Sequence, residues 1–111
     1  METLESKIDT TSSTYQERTG AYQKILADFR ERMSQVHAGG GEKAVKRHRG
    51  RGKLLARERI EQLTDAHTPF LELSPLAANG QYEDAFPSAG IVTGIGIIQD
   101  REAVIVANDA T

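Results

Sequence analysis

The sequence has no cysteine and no tryptophan. Without cysteine there is no disulfide to staple the fold and no thiolate to hold zinc, so nothing in the chain requires an oxidising compartment. No apolar run is long enough for a membrane span or a signal-peptide core, so a cytoplasmic protein without a membrane partner is expected. Aromatic residues make up only 5% of the 111 residues, and the hydrophobic share is 38%. That is material for one small domain, whose core is marginal unless most segments contribute to it.

Positive charge, by contrast, is concentrated. The net charge is −2, yet "GGGEKAVKRHRGRGKLLARERI" (39–60) holds Lys43, Lys46, Arg47, Arg49, Arg51, Lys53, Arg57 and Arg59, eight of the 14 Lys and Arg. The remainder is markedly acidic. A local excess of this kind suits an anionic partner or an acidic surface, whereas the protein as a whole is not built to coat nucleic acid. Three readings compete: a solvated helical face, a contact with RNA or DNA phosphates, and a site for a small ligand carrying several phosphates. No aromatic residue lies between Phe29 and Phe70 to stack a base, which weakens the second reading.

Residues 1–12 are polar and aperiodic, as in a flexible terminus, and 13–111 carry the domain. Over 13–37, Tyr15, Tyr22, Ile25, Leu26, Phe29, Met33 and Val36 recur at helical spacing, predicting one amphipathic helix that ends at Gly39, Gly40 and Gly41. Two short helices are expected at 42–48 and 55–63, separated by "RGRGK", with Ala56, Ile60 and Leu63 on one face. "PFLEL" (69–73) reads as a strand and 74–90 as a loop. Two β-branched runs, 91–98 and 103–106, joined through "QDRE", read as a hairpin. A hairpin alone is marginal in water, so its apolar side is expected to need a further partner.

Familiar catalytic motifs fail on inspection. "RGRGK" is not a phosphate-binding loop, because Arg47 stands where the first glycine belongs and Leu54 where a Ser or Thr should hold magnesium. "GIGIIQ" has Gln99 in place of the third glycine of a dinucleotide fingerprint. His37, His48 and His67 lack ligand spacing, so no metal site is expected. No nucleophile–base constellation emerges, and no catalytic residue is assigned.

Four strings, "GGGEKAVKRHRGRGKLLARERI", "TPFLEL", "SAGIVTGIG" and "VANDAT", occur in an order that resembles the N-terminal part of the carboxyltransferase (β) subunit of biotin-dependent acyl-CoA carboxylases. The likeness runs from about Gly39 to Thr111, and "PFLEL" and "IVANDAT" are closer to the 3-methylcrotonyl-CoA branch than to the propionyl-CoA branch. The resemblance implies an α/β, crotonase-like carboxyltransferase domain, here its leading helices and a β-hairpin, truncated at the C-terminus and inactive alone. It implies an enzyme that moves a carboxyl group from carboxybiotin to an acyl-CoA, with biotin carried by a biotin carboxylase/carrier α subunit and the β subunits forming a homo-oligomer. Backbone N–H groups in later glycine-rich turns would stabilise the enolate, which accounts for the missing side-chain triad.

On this resemblance Arg51, Lys53 and Arg57 are expected near the CoA phosphates, and Ala107, Asn108 and Asp109 near the adenine or pantetheine. The equal alternative is that Arg57 and Arg59 serve structure by pairing carboxylates of the same or a neighbouring subunit. "IIQDRE" departs from the small glycine-containing turn usual in the family's hairpin. The alternative from another class is a non-enzymatic basic module that binds RNA or an acidic protein partner.

Overall fold

A computed structural model describes residues 3–84 and 86–111. The first two residues of the expected flexible leader, and Ala85 within the expected 74–90 loop, lie outside the described residues. The chain divides into two compact units, Met1–Glu31 and Arg32–Thr111.

In the first unit, residues 3–9 form no regular element before a turn leads into helix α1, Ser13–His37. Asp9 organises that turn, accepting the Thr11 N–H at 2.9 Å and the Thr11 hydroxyl at 2.6 Å. Those bonds hold the Asp9 carboxyl below its usual range, the Thr11 hydroxyl contributing most. Ser12 then caps the helix by accepting the Tyr15 N–H at 3.3 Å. The apolar stripe predicted for α1 is present, but Tyr15, Tyr22, Ile25 and Phe29 on it are exposed.

The second unit begins with the last turns of α1, where Val36 is buried. Gly39, at a φ of 74°, stops the helix and donates its N–H to the Val36 carbonyl. Helix α2, Glu42–Arg49, carries Glu42 in its first turn and Lys46, Arg47, His48 and Arg49 in its last. This charge order complements the helix dipole and stabilises a helix otherwise short for its length. Helix α3, Ala56–Leu63, buries Ala56 and Ile60. Leu63, expected on the same face, is half exposed instead. It borders an open hollow beside Ile105, Val106 and Ala107 of the last strand, and Thr64 caps the helix there with an extended backbone.

Strands β1 (Leu71–Leu73), β2 (Ile91–Ile98) and β3 (Arg101–Asn108) form an antiparallel sheet in the order β1-β2-β3. One face packs on α3, with Val92 fully buried among Ala56, Ile60 and Ile105, and with Phe70, Ile98 and Ala107 alongside. Gly94 and Gly96 lie on this face. A Cβ at Gly94 would collide with the Phe70 ring and the Leu71 carbonyl, and one at Gly96 would press on the Thr64 methyl. The glycines of "TGIGII" are thus a notch for Phe70 and Thr64, which is the physical reason they do not form a nucleotide loop. On the opposite face the register aligns Leu71, Ile95 and Val104 in one row and Leu73, Thr93 and Val106 in the next. Leu71, Leu73, Val104 and Val106 are exposed there. Among the described residues no helix is long and apolar enough to cross a membrane.

The hairpin is tighter than its composition suggests. The loop is only Gln99 and Asp100, both left-handed at φ 51° and 60°, and Ile98 pairs directly with Arg101. This is the turn geometry that normally selects Asn-Gly. Its support comes from Asp65, whose two carboxylate oxygens each accept one loop N–H, from Gln99 and Asp100, at 2.8 Å. The Asp65 N–H in turn donates to the Ile97 carbonyl. The departure "IIQDRE" is accommodated by this carboxylate. The Asp100 and Gln99 N–H groups hold the Asp65 carboxyl below its usual range. A lowered folded-state pKa stabilises above the ordinary carboxylate range, and that contribution is lost as pH falls through the folded-state value. Asp65→Asn should therefore lower the melting temperature at neutral pH and flatten the acid side of the stability curve. Thermal melts between pH 7 and pH 3 check this, and an unchanged acid limb would refute it.

Candidate CoA-binding groove

The loop carrying Arg51 and Lys53 is fixed at both ends. At one, the His48 ring Nε2 lies 3.0 Å from the Leu54 carbonyl. At the other, Glu58 accepts the Leu55 N–H at 2.8 Å and an Arg49 guanidinium N–H, tying the end of α2 to the start of α3. Leu55 sits at the N-cap and has no side-chain acceptor, so only the return half of a capping box exists here. The Leu55 N–H, followed by the Arg49 side chain, holds the Glu58 carboxyl below its ordinary range. Gly52, left-handed at φ 69°, turns the loop and donates its N–H to the Arg49 carbonyl at 2.9 Å.

Between this loop and the end of β3 lies an open groove of about 510 Å³, lined by His48, Gly52, Lys53, Leu54, Ala56, Arg59, Asn108 and Ala110. Of the expected site residues it brings together Lys53 and Asn108. Ala107 lies in an adjoining hollow that shares Arg59 and Asn108 with the groove. Asp109 borders a third hollow beside Arg47 and Gly90. Its N–H donates to the Gly90 carbonyl at 2.9 Å, and its carboxylate accepts the Thr111 N–H at 2.9 Å and the Thr111 hydroxyl at 2.6 Å. Arg51 stands exposed at the loop tip.

Arg57 points elsewhere. Its guanidinium grips Glu72 through Nε at 3.1 Å and Nη2 at 2.6 Å, and donates to the Ser88 hydroxyl at 3.1 Å and the Val36 carbonyl at 3.4 Å. The Arg57 and Glu72 side chains keep 24% and 14% of their exposure, so the pair is largely withdrawn from water. His37 approaches the same carboxylate at 3.6 Å. Arg59, not among the expected site residues, lines the groove instead. The signal was present in the sequence: residues two apart on a helix lie roughly 200° apart around its axis, so Arg57 and Arg59 cannot share one face. Among the described residues no group of three His, Asp or Glu could hold a metal ion.

The model of the carboxyl transferase domain matches residues 47–111, a span that covers α3, the sheet and the groove. The chain belongs to the carboxyl transferase domain family. The biotin-dependent 3-methylcrotonyl-coenzyme A carboxylase β1 subunit of Mycobacterium tuberculosis is 52% identical over 90 residues, covering 81% of this chain and 17% of that protein. Among solved structures, the β subunit of geranyl-CoA carboxylase from P. aeruginosa superposes with a TM-score of 0.79 at 31% identity, over 96% of this chain and 20% of that one. Transcarboxylase 12S, solved as a hexamer assembly with methylmalonyl-coenzyme A bound, gives a TM-score of 0.67 at 30% identity over 78% of this chain and 18% of that one. The chain thus spans about a fifth of the length of these carboxyl transferase relatives. The expected fold, leading helices followed by a hairpin of a crotonase-like carboxyltransferase domain, is borne out. These matches lend no support to an RNA-binding or acidic-partner module.

Proposed function

We propose that this chain supplies the CoA-binding opening portion of a carboxyltransferase β subunit that moves a carboxyl group from carboxybiotin to an acyl-CoA of the 3-methylcrotonyl type. The observation that carries this reading is the groove between the basic loop and the end of β3, which lies within the matched carboxyl transferase segment of a chain 52% identical over 90 residues to a 3-methylcrotonyl-CoA carboxylase subunit. A CoA thioester carries a pyrophosphate and a 3′-phosphate, and Arg51, Lys53 and Arg59 are the cations at or beside the groove able to pair with them. The backbone and side chain of Asn108, with Ala107 and Asp109 on either side, offer polar contacts to the adenine or pantetheine. Biotin arrives on an α subunit and supplies the carboxyl group. No residue named here is assigned to biotin, so this chain's part is to bind and orient the acyl-CoA. Assembly of several β subunits is proposed by likeness to the hexameric transcarboxylase 12S.

The test is the affinity of the β subunit for CoA after Lys53→Ala and Arg51→Ala. Loss of one charge-assisted contact should weaken binding about tenfold or more. The effect should shrink for 3′-dephospho-CoA at whichever residue meets the 3′-phosphate. Unchanged affinity in both variants would refute the assignment.

A further inference from the structure

Resting on the CoA-groove reading above, we infer that Arg57 is a positioning residue for that groove, acting through Ser88 on the wall formed by residues 108–110. Arg57 is absent from the groove lining, yet it hydrogen-bonds Ser88, and the backbone two residues on, at Gly90, accepts the Asp109 N–H of that wall.

The relay begins where Glu72, the Val36 carbonyl and the Ser88 hydroxyl fix the guanidinium on three sides. Ser88 is 4% exposed and its hydroxyl works both ways, accepting from Arg57 and donating to the Pro75 carbonyl at 3.1 Å. This matters because the backbone it anchors is unusual. Ser88, Ala89 and Gly90 are all left-handed, at φ 52°, 52° and 72°, and only glycine adopts that conformation without a steric penalty. Two consecutive side-chain-bearing residues persist there only when the surroundings over-determine them. The buried Ser88 hydroxyl, together with an Ala89 N–H to Phe86 carbonyl bond, does so.

The left-handed turn aims the Gly90 carbonyl at the Asp109 N–H. Asp109 is then closed onto Thr111 by its carboxylate, and the Thr111 backbone lies so tightly on Gly40 that no Cβ would fit between them. Asn108 and Ala110 flank Asp109 and are the two residues of this segment that line the groove. Loss of the Arg57–Ser88 bond releases the Gly90 carbonyl, and with it the height of that wall above Lys53 and Arg59.

The experiment measures KM for the acyl-CoA and for its 3′-dephospho analogue, kcat and melting temperature, in the β subunit assembled with its α partner. The variants are Ser88→Ala, Ser88→Gly and Arg57→Lys, with Lys53→Ala for comparison. Positioning predicts that Ser88→Ala raises both KM values in parallel, roughly five- to tenfold, with kcat nearly unchanged. Ser88→Gly, which tolerates the left-handed backbone but lacks the hydroxyl, should fall between Ser88→Ala and the native protein. Arg57→Lys, which cannot reproduce the forked contact to Glu72 and Ser88, should behave like Ser88→Ala. Lys53→Ala removes a direct phosphate contact and should raise the acyl-CoA KM about tenfold or more. Lower melting temperatures with unmoved KM values would reduce Arg57 to a purely structural residue and overturn the inference. Selective loss of 3′-phosphate discrimination in Arg57→Lys would overturn it as well, by making Arg57 a direct contact. Should Ser88→Ala fail to fold, Ser88→Gly and Arg57→Lys decide by the same criteria. A native subunit without CoA affinity would defeat the groove reading itself, whereas native affinity with unmoved KM values defeats only the relay.

Discussion

Arg57→Ala should destabilise the folded protein by about 3 kcal/mol, because it strands the Glu72 carboxylate where water barely reaches it. That is the low end for breaking a buried pair, since both side chains retain some exposure. The same truncation removes the donors to the Ser88 hydroxyl and the Val36 carbonyl. Removing both charges tells the two contributions apart. The double variant Arg57→Met with Glu72→Leu should recover much of the loss, since it leaves no unpaired ion behind. Denaturant melts of the two proteins measure the difference. Equal destabilisation would mean that the contacts to Ser88 and Val36, and not the stranded carboxylate, dominate.

The second large effect is expected at Gly94. Alanine there places a methyl group into both the Phe70 ring and the Leu71 carbonyl. A side chain can turn aside, but Leu71 is paired in β1 and its carbonyl cannot retreat without breaking the ladder to β2. Overpacking of this kind costs about 1–3 kcal/mol, and the backbone clash puts Gly94→Ala near the top of that range. For a domain of this size that is a fall in melting temperature of roughly 10–20 °C. Gly96→Ala should cost less, because its nearest obstacle is a side-chain methyl, that of Thr64, and not backbone. Trimming Phe70 to leucine should not rescue Gly94→Ala, since the Leu71 carbonyl remains. A full rescue would show that the ring alone set the notch.

Legibility in the sequence followed the range of the interactions. Helix α1 was legible because its apolar residues repeat at helical spacing, and β2 because Ile91–Ile98 is rich in β-branched residues despite Gly94 and Gly96. The start of β3 was hidden, since Arg101 and Glu102 are exposed on a terminal strand and carry no apolar pattern. The two-residue hairpin loop was hidden too, because its support comes from Asp65, 34 residues before Gln99 in the chain. At the site, the composition marked the basic stretch as a place for anions but could not rank its members. Arg49 is paired with Glu58, Arg57 with Glu72, while Lys53 and Arg59 line the groove. Those assignments depend on partners 9 and 15 residues away, which no local pattern reports.

The most direct test of the groove as a CoA site is a structure of the β subunit with an acyl-CoA bound. The account predicts phosphate oxygens within about 3.2 Å of the Lys53 Nζ, with Asn108 contacting the same ligand and the Arg57 guanidinium still on Glu72. A CoA molecule lodged away from the loop at residues 50–54 and the end of β3, or one whose phosphates draw Arg57 off Glu72, would contradict it.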